Sequence, residues 1–201
     1  MIAQIEKRIY TAEEYLELEL AAETRSEYRN GDIIPITGGT PNHNDISGNL
    51  YILLKSALKG KDYRIFYADQ RIRIPAVNLY TYPDVVVVPK PLELQTGRKD
   101  TIVNPCFIAE VLSKSTQNYD SPAETLCDRS EKFAAYRTIP TFQDYLLVDQ
   151  HQVHVEHHVK TAVNQWLFSE YDDPNVVLSF SAFECQVQIA DLYEAIDFTS
   201  V

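Results

Sequence analysis

Two carboxylates stand inside apolar, strand-like segments of the chain. Asp84 opens the segment 84–88, of sequence DVVVV, and Glu110 lies within 107–112, of sequence FIAEVL. An isolated carboxylate is costly to bury, so each of these groups needs a charged partner, water or a cation. If the two segments are neighbouring strands, the side chains lie roughly 5 Å apart, close enough for one Mg²⁺ to contact both. The pattern predicts a metal-dependent hydrolase.

A phosphodiester hydrolase of this kind also needs a cationic side chain that stabilises the charge of the transition state. The usual position for a lysine, two residues after the glutamate, holds Leu112. Lys114 and Lys132 are the two replacements. Lys114 lies about 13 Å from Glu110 along an extended strand, whereas a helix packed over the strand can return Lys132 to the centre, so we favour Lys132. Asp128, one helical turn earlier, can pair with it, although such a pair also suits an ordinary exposed helix.

Capping and periodicity place the elements that carry these residues. The sequence TAEE at 11–14 is a capping box that begins a short helix, and Asn-Gly at 30–31 predicts a hairpin. Apolar spacing predicts helices at 42–59 and 123–137, with a closing helical turn at 190–196. The expected strands are 64–67, 70–74, 84–88, 106–112, 143–148, 153–159, 165–171 and 185–189.

This order of elements indicates an α/β (α+β) fold with a mixed central β-sheet flanked by helices. A chain of 201 residues, 45% of them hydrophobic, suits one domain spanning 1–201.

No apolar stretch approaches the roughly 20 residues of a membrane span, and the first residues lack the apolar run of a signal peptide. We therefore expect a cytoplasmic protein without membrane contact. Its three cysteines, Cys106, Cys127 and Cys185, are expected to be buried thiols.

The formal net charge of −11 argues against general nucleic-acid binding. The charge is unevenly distributed, however, because residues 41–140 carry 11 acidic and 13 basic side chains. Within this stretch Lys55, Lys59, Arg71 and Arg73 could follow a phosphate backbone, and a plain solvated surface is the alternative.

Several segments together carry a family resemblance. They are RSEYRNG at 25–31, which contains Glu27, His43 at the start of a helix, PDVVV at 83–87, EVLSKST at 110–116, and Asp128 followed by Lys132 and Tyr136 at helical spacing, with QDYLLVD at 143–149. In this order the chain, from about residue 10 to 198, resembles the Uma-two family of restriction-endonuclease-like proteins. That family is assigned to the PD-(D/E)XK nuclease superfamily.

The resemblance implies a restriction-endonuclease-like fold that binds Mg²⁺ or Mn²⁺ and cuts DNA. It implies Asp84 and Glu110 as metal ligands, Glu27 as a further carboxylate at the metal, and Lys132 as the relocated lysine. His43, Asp128 and Lys114 are accessory candidates. The segment 117–126 makes one connection longer than in the family, which leaves open whether Asp120 or Asp128 takes the family's aspartate position.

Two further signals favour structural explanations. Tyr136 lies on the apolar side of its helix and is expected in the core rather than at the reacting atoms. The histidines at 151, 154, 157 and 158 invite a metal-binding interpretation, but alternation with valines predicts that His154 and His158 face solvent from a strand.

The sequence thus favours a metal-dependent DNA endonuclease. The alternative is a nuclease-fold module that binds nucleic acid or protein without cleavage, which the net charge and Leu112 favour. A monomer and a homodimer both remain open.

Overall fold

The computed structural model of the chain describes residues 8–36, 38–113 and 128–199. Its helices are α1 (Ala12–Ala21), α2 (Pro41–Ala57), α3 (Phe133–Tyr136) and α4 (Ile189–Leu192), with a 3-10 turn at Pro75–Val77 and a π-helical turn at Asp128–Lys132. Its strands are β1 (Ser26–Arg29), β2 (Asp32–Pro35), β3 (Tyr63–Tyr67), β4 (Arg71–Ile74), β5 (Leu79–Thr81), β6 (Val85–Pro89), β7 (Thr101–Ile102), β8 (Phe107–Leu112), β9 (Asp144–Asp149), β10 (Val155–Ala162), β11 (Gln165–Tyr171), β12 (Val177–Ser179) and β13 (Gln186–Gln188). The predicted mixed fold is confirmed.

Local signals account for the ends of several elements. The Thr11 hydroxyl accepts the backbone N–H of Glu14 and the Glu14 carboxylate accepts that of Thr11, so the predicted capping box begins α1. Asn30 and Gly31 both have positive φ angles, as a two-residue hairpin turn between β1 and β2 requires. The expected helices and strands within the described residues are present, with ends shifted by a few positions.

The strands form a six-stranded sheet of order β11-β10-β9-β8-β6-β3, a five-stranded sheet of order β2-β1-β5-β4-β7, and the pair β12-β13. Strand β8 is parallel to β9 and antiparallel to β6. Because Val85 is the partner of Ala109, Asp84 lies just before β6 and next to the position of Glu110. The neighbouring-strand arrangement expected for the two acids is therefore confirmed.

The central strands β6, β8 and β9 of the six-stranded sheet are buried on both faces. One face packs against α2 through Ile46, Leu50 and Leu54, which join Val85 and Val87 in the larger core cluster. The opposite face forms a second cluster with α3 and the five-stranded sheet, through residues that include Val86, Val88, Ile108, Leu112 and Tyr136. Alternation along β6 and β8 explains this division, since successive strand residues point to opposite faces. Glu110 shares the second face with Ile108 and Leu112.

The histidine prediction is wrong for His158, whose ring packs against Phe133 and Phe168 with ring centroids 4.3 and 4.8 Å apart. Burial, followed by the neighbouring His157 and Arg137, lowers the pKa of His158 to about 4. Aromatic neighbours on β11 and α3 cover this strand position, which alternation alone could not reveal.

The buried-thiol prediction holds for Cys106, whereas Cys185 is partly exposed and Cys127 lies outside the described residues. Burial raises the pKa of the Cys106 thiol to about 12.

In the described part of the chain, no helix combines the length and apolar character that crossing a membrane requires. The single-domain assignment stays a prediction.

Candidate nuclease site

Glu110 is a nearly buried acid in the middle of an apolar strand, with 4% of its surface exposed. The hydroxyl of Tyr136, on α3, donates a 2.6 Å hydrogen bond to Glu110 Oε1. The ammonium of Lys132 lies 3.5 Å from the same oxygen. The π-helical turn and α3, which follows it, thus supply partners that a buried carboxylate needs.

Lys132 is itself 7% exposed, and its Nζ lies 3.3 Å from Glu27 Oε1 as well as 3.5 Å from Glu110. It is the last residue of the π-helical turn that precedes α3. Such turns are rare and occur frequently at functional sites. Leu112, at the usual lysine position, is fully buried in the apolar cluster. The lysine that contacts Glu110 therefore comes from the π-helical turn and not from β8.

Glu27 approaches the same ammonium from the five-stranded sheet. It lies on β1, is 8% exposed, and accepts a short hydrogen bond from the hydroxyl of Thr81 on the neighbouring strand β5. A second contact joins β1 to the π-helical turn, because Arg29 Nη1 lies 3.0 Å from Glu131 Oε2. Two ion pairs therefore fix this strand against the turn that carries Lys132.

Asp84 lies at the end of β6, with 20% of its side chain exposed. Its Oδ2 accepts the backbone N–H of Val111 at 2.8 Å and lies 3.2 Å from His43 Nε2. His43 belongs to the first turn of α2, where its backbone N–H donates to the capping hydroxyl of Thr40. The start of α2 thus places His43 in contact with Asp84, one of the two acids predicted to bind the metal.

A buried glutamine links this helix start to the end of β8. Gln150 is 1% exposed and donates from Nε2 to the carbonyl of Leu112 at 2.7 Å. Its Oε1 accepts a short hydrogen bond from Thr40 Oγ1, the same atom that caps α2. The chain of contacts from Leu112 through Gln150, Thr40 and His43 ends at Asp84.

The donor set suits a hard divalent cation, because Glu27 and Glu110 flank the Lys132 ammonium, Asp84 lies beside Glu110 at the start of the neighbouring strand, and oxygen ligands are those that Mg²⁺ prefers. Every described hydrogen bond or ion pair of Asp84 and Glu27 goes to a single oxygen of each group, which leaves Asp84 Oδ1 and Glu27 Oε2 open. The ligand oxygens of the three acids do not all lie within 4.8 Å of one another. Asp84 and Glu110, which occupy neighbouring strand positions, are the candidate pair for one ion.

The four basic residues predicted to contact DNA do not form one surface patch. Lys55 and Lys59 are exposed near the end of α2, whereas Arg71 and Arg73 lie on β4 of the other sheet. The Arg71 guanidinium is buried and donates to Thr101, Tyr82 and Asp100. Hydrogen bonds from Arg98, followed by the Arg71 charge, hold the pKa of Asp100 at about 2 against its burial. Arg71 is therefore unavailable to a phosphate in this arrangement.

The structure does not describe the side chains of two accessory candidates, Lys114 and Asp128. Lys114 lies outside the described residues, as does Asp120. Asp128 begins the π-helical turn, and its side chain is outside the described part of the structure.

Sequence reasoning missed three polar neighbours of the site. Tyr136 is in the core, as predicted, but it also binds Glu110. Its spacing of four residues from Lys132 was the available signal, because residues one turn apart share a helix face. Thr81 and Gln150 carried no such signal, since their contacts with Glu27 and Thr40 join residues 54 and 110 positions apart in the chain.

Comparison with solved structures identifies the fold. A crystal structure described as "a putative nuclease belonging to DUF820 from Anabaena variabilis ATCC 29413" superposes with a TM-score of 0.70 and covers 92% of this chain and 97% of its own. The two sequences are 20% identical. At this level of identity, the likeness establishes a shared restriction-endonuclease-like fold.

Comparison with sequences identifies the family. Two uncharacterised proteins of Synechocystis (strain PCC 6803) are similar to the chain: sll1609 is 40% identical over 174 residues, 87% of this chain and 94% of that protein, and slr1290 is 38% identical over 161 residues, 79% and 78%. The family model "Uma2: Putative restriction endonuclease" matches residues 12–191, which include every described side chain of the candidate site. The chain belongs to the Uma2 family of restriction-endonuclease-like proteins.

Proposed function

We propose that this protein is a Mg²⁺- or Mn²⁺-dependent endonuclease that hydrolyses DNA phosphodiester bonds. One observation carries the proposal: Lys132 lies 3.3 Å from Glu27 and 3.5 Å from Glu110, and all three side chains are at least nine-tenths buried. The three residues come from a hairpin, a central strand and a helical turn that are far apart in sequence. The family assignment supports the same function.

Stability alone is a poor explanation for such a cluster. Buried ion pairs repay their desolvation cost only with excellent geometry, and apolar replacements of similar volume are often as stable or more so. Glu27, Asp84 and Glu110 bring three carboxylates together, with Lys132 and His43 among their partners. Such a set of oxygen ligands favours a divalent cation, and clusters of buried titratable groups with specific charge partners are typical of functional sites.

Each residue has a distinct role in the proposal. Asp84 and Glu110 would hold the ion, which when bound polarises the phosphate and activates a water molecule. Lys132 donates to the phosphate oxygens as their negative charge grows in the transition state. Glu27 and Thr81 hold Lys132 in position, and Tyr136 orients Glu110. His43 fixes Asp84 through Oδ2, and Oδ1 is the oxygen that would hold the cation.

The test is cleavage of duplex, single-stranded and branched DNA by the purified protein with Mg²⁺ or Mn²⁺. We expect cleavage that EDTA abolishes and that Asp84→Asn and Glu110→Gln each reduce by at least about 10²-fold, the effect typical of removing one catalytic group. Asp62→Asn, at an exposed site just before β3, is the control and should cut like the wild type. Absence of cleavage on all three substrates with both metals would favour a module that binds without cutting.

A further inference from the structure

A second group of metal-ligating side chains lies at the edge of the six-stranded sheet. Glu156 on β10 and Glu170 on β11 are direct partners in the antiparallel register, and His154 precedes β10. His154 Nε2 lies 3.7 Å from Glu156 Oε1 and 3.8 Å from Glu170 Oε1. Among the described residues, this is the one set of three His, Cys, Asp or Glu residues whose ligand atoms lie within 4.8 Å of one another.

The imidazole of His154 is oriented by a carboxylate outside this set. Its Nδ1 lies 2.5 Å from Asp172 Oδ1, so the opposite ring nitrogen, Nε2, is turned toward the two glutamates. A carboxylate on the far nitrogen is the usual support of a metal-binding histidine, because it fixes both the tautomer and the ring plane. Asp172 therefore already makes the contact that a carboxylate makes with a metal-binding histidine.

The separations fit a shared cation better than a direct hydrogen bond. Distances of 3.7 and 3.8 Å exceed the length of an N–H···O hydrogen bond. Two ligands bound tetrahedrally to one zinc ion lie roughly 3.4 Å apart. Closing the two gaps to His154 requires movement of a few tenths of an ångström, and the ligand oxygens of the two glutamates lie within 4.8 Å of each other. Glu170, whose side chain is 56% exposed, is free to make such a movement.

Charge gives an independent reason for a cation at this place. Glu156 is only 6% exposed, and it stands directly opposite another glutamate. Like charges in directly opposed strand positions destabilise a sheet. A divalent ion between the two glutamates offsets this repulsion and also binds the neutral ring of His154.

This group is separate from the candidate nuclease site. Leu147 on β9 is the partner of both Glu110 on β8 and Glu156 on β10, so the two glutamates lie two strands apart on one face of the sheet. Their backbones are therefore roughly 9–10 Å apart. No ligand atom is common to the two sites.

We propose that His154, Glu156 and Glu170 bind a divalent transition-metal ion, for which Zn²⁺ is the natural probe, with Asp172 as the orienting residue. One imidazole and two carboxylates suit Zn²⁺ better than Mg²⁺, because nitrogen ligands favour the later transition metals. Three protein ligands leave a further position for water or a ligand oxygen. The bound ion joins β10 to the edge strand β11.

The test is titration of the intact protein with Zn²⁺ by calorimetry. We expect His154→Gln and Glu170→Gln each to lose one equivalent of bound Zn²⁺ relative to the wild type. Asp172→Asn should keep that equivalent with roughly 10–100-fold weaker affinity. Asp84→Asn, at the candidate nuclease site, should retain it at wild-type affinity, which makes the outcome independent of the proposed nuclease function.

Co²⁺ provides a second measurement, because its visible absorption reports coordination by the histidine. The wild type and Asp84→Asn should show a saturable band that His154→Gln lacks. Glu170 is exposed, so its substitution leaves the fold intact and keeps the titration interpretable. Unchanged Zn²⁺ stoichiometry in both His154→Gln and Glu170→Gln would overturn the proposal and assign His154 to ion pairing alone.

Discussion

At the level of single residues, the proposed mechanism depends on Lys132, because residue 112 is a leucine. Residue 112 belongs to the apolar core, and a leucine there adds to the packing between β8 and α3. Chain geometry alone favoured Lys132 over Lys114. An extended strand carries residue 114 away from Glu110, whereas a helix that packs over the strand can bring residue 132 back to it. The ammonium indeed lies within 3.5 Å of Glu110. Its contact with Glu27 could not be derived from spacing, since it depends on how two sheets meet.

We predict that Lys132→Met lowers the rate of DNA cleavage by roughly 10²–10³-fold, because the ammonium stabilises charge that appears only in the transition state. DNA affinity and the response to metal should change little. Single-turnover cleavage and a binding titration measure the two effects. Lys90→Met, at an exposed ion pair with Asp62, is the control. Loss of cleavage in Lys114→Met with activity kept in Lys132→Met would assign the role to Lys114.

A second residue-scale prediction concerns Tyr136→Phe. Removing its hydroxyl deletes a buried hydrogen bond to a carboxylate, worth about 1.5–3 kcal/mol, and loosens Glu110. We expect both the free energy of unfolding and the cleavage rate to fall. Tyr193→Phe is the matched control, because the Tyr193 hydroxyl donates to backbone carbonyls away from Glu110. The control should lose stability but keep its cleavage rate. Equal cleavage by both variants would refute the orienting role of Tyr136.

At the level of elements, sequence signals predicted what is local and missed what is not. The capping box of α1, the Asn-Gly hairpin and the β-branched runs of β6 and β8 act over a few residues, so they could be recognised directly. The division of the strands into two main sheets could not, because it depends on pairings such as β1 with β5 and β8 with β9. The π-helical turn that carries Lys132 also leaves no sequence signature. This turn brings the Lys132 ammonium to the site only because the two sheets pair and pack as they do.

The start of α2 gives an element-scale prediction. Thr40→Val removes the helix cap, at a cost of about 1 kcal/mol, and also the contact with Gln150 that aligns His43 with Asp84. Thr11→Val is the matched control, since Thr11 caps α1 through the same type of bond. We expect both variants to lose free energy of unfolding, measured by denaturant titration, and Thr40→Val to lose more because buried Gln150 also loses a partner. The cleavage rate should fall only for Thr40→Val. Reduced cleavage in both variants to the same extent would show that stability alone matters.

At the level of the whole molecule, the burial of one histidine makes the stability of the fold depend on pH. The His158 ring lies among aromatic side chains, and its Nε2 has no hydrogen-bond partner among the described residues. Its pKa is about 4 in the folded protein against 6.5 for the free side chain. Between these values the unfolded chain binds the proton and the folded chain does not, so stability falls as pH drops from about 6.5 to about 4.

We therefore predict that His158→Phe reduces the loss of stability between pH 7 and pH 4.5. Phenylalanine keeps the ring contacts but cannot bind a proton in either state. Denaturant unfolding at a series of pH values measures the difference. The wild type and His154→Gln, which keeps His158, should both retain the steeper dependence in this window. Parallel profiles for the wild type and His158→Phe would contradict the prediction.

The most direct test of the central claim, that Asp84 and Glu110 hold a divalent ion, is thermal unfolding at increasing Mg²⁺ concentration. An ion that binds only the folded state raises stability by about 1.4 kcal/mol at ten times its dissociation constant, which for a domain of this size raises the melting temperature by roughly 3–6 °C. Mg²⁺ is chosen because the His154 group favours transition metals. We predict this rise for the wild type and its loss in Asp84→Asn and Glu110→Gln. An identical rise in all three proteins would contradict the assignment of the site.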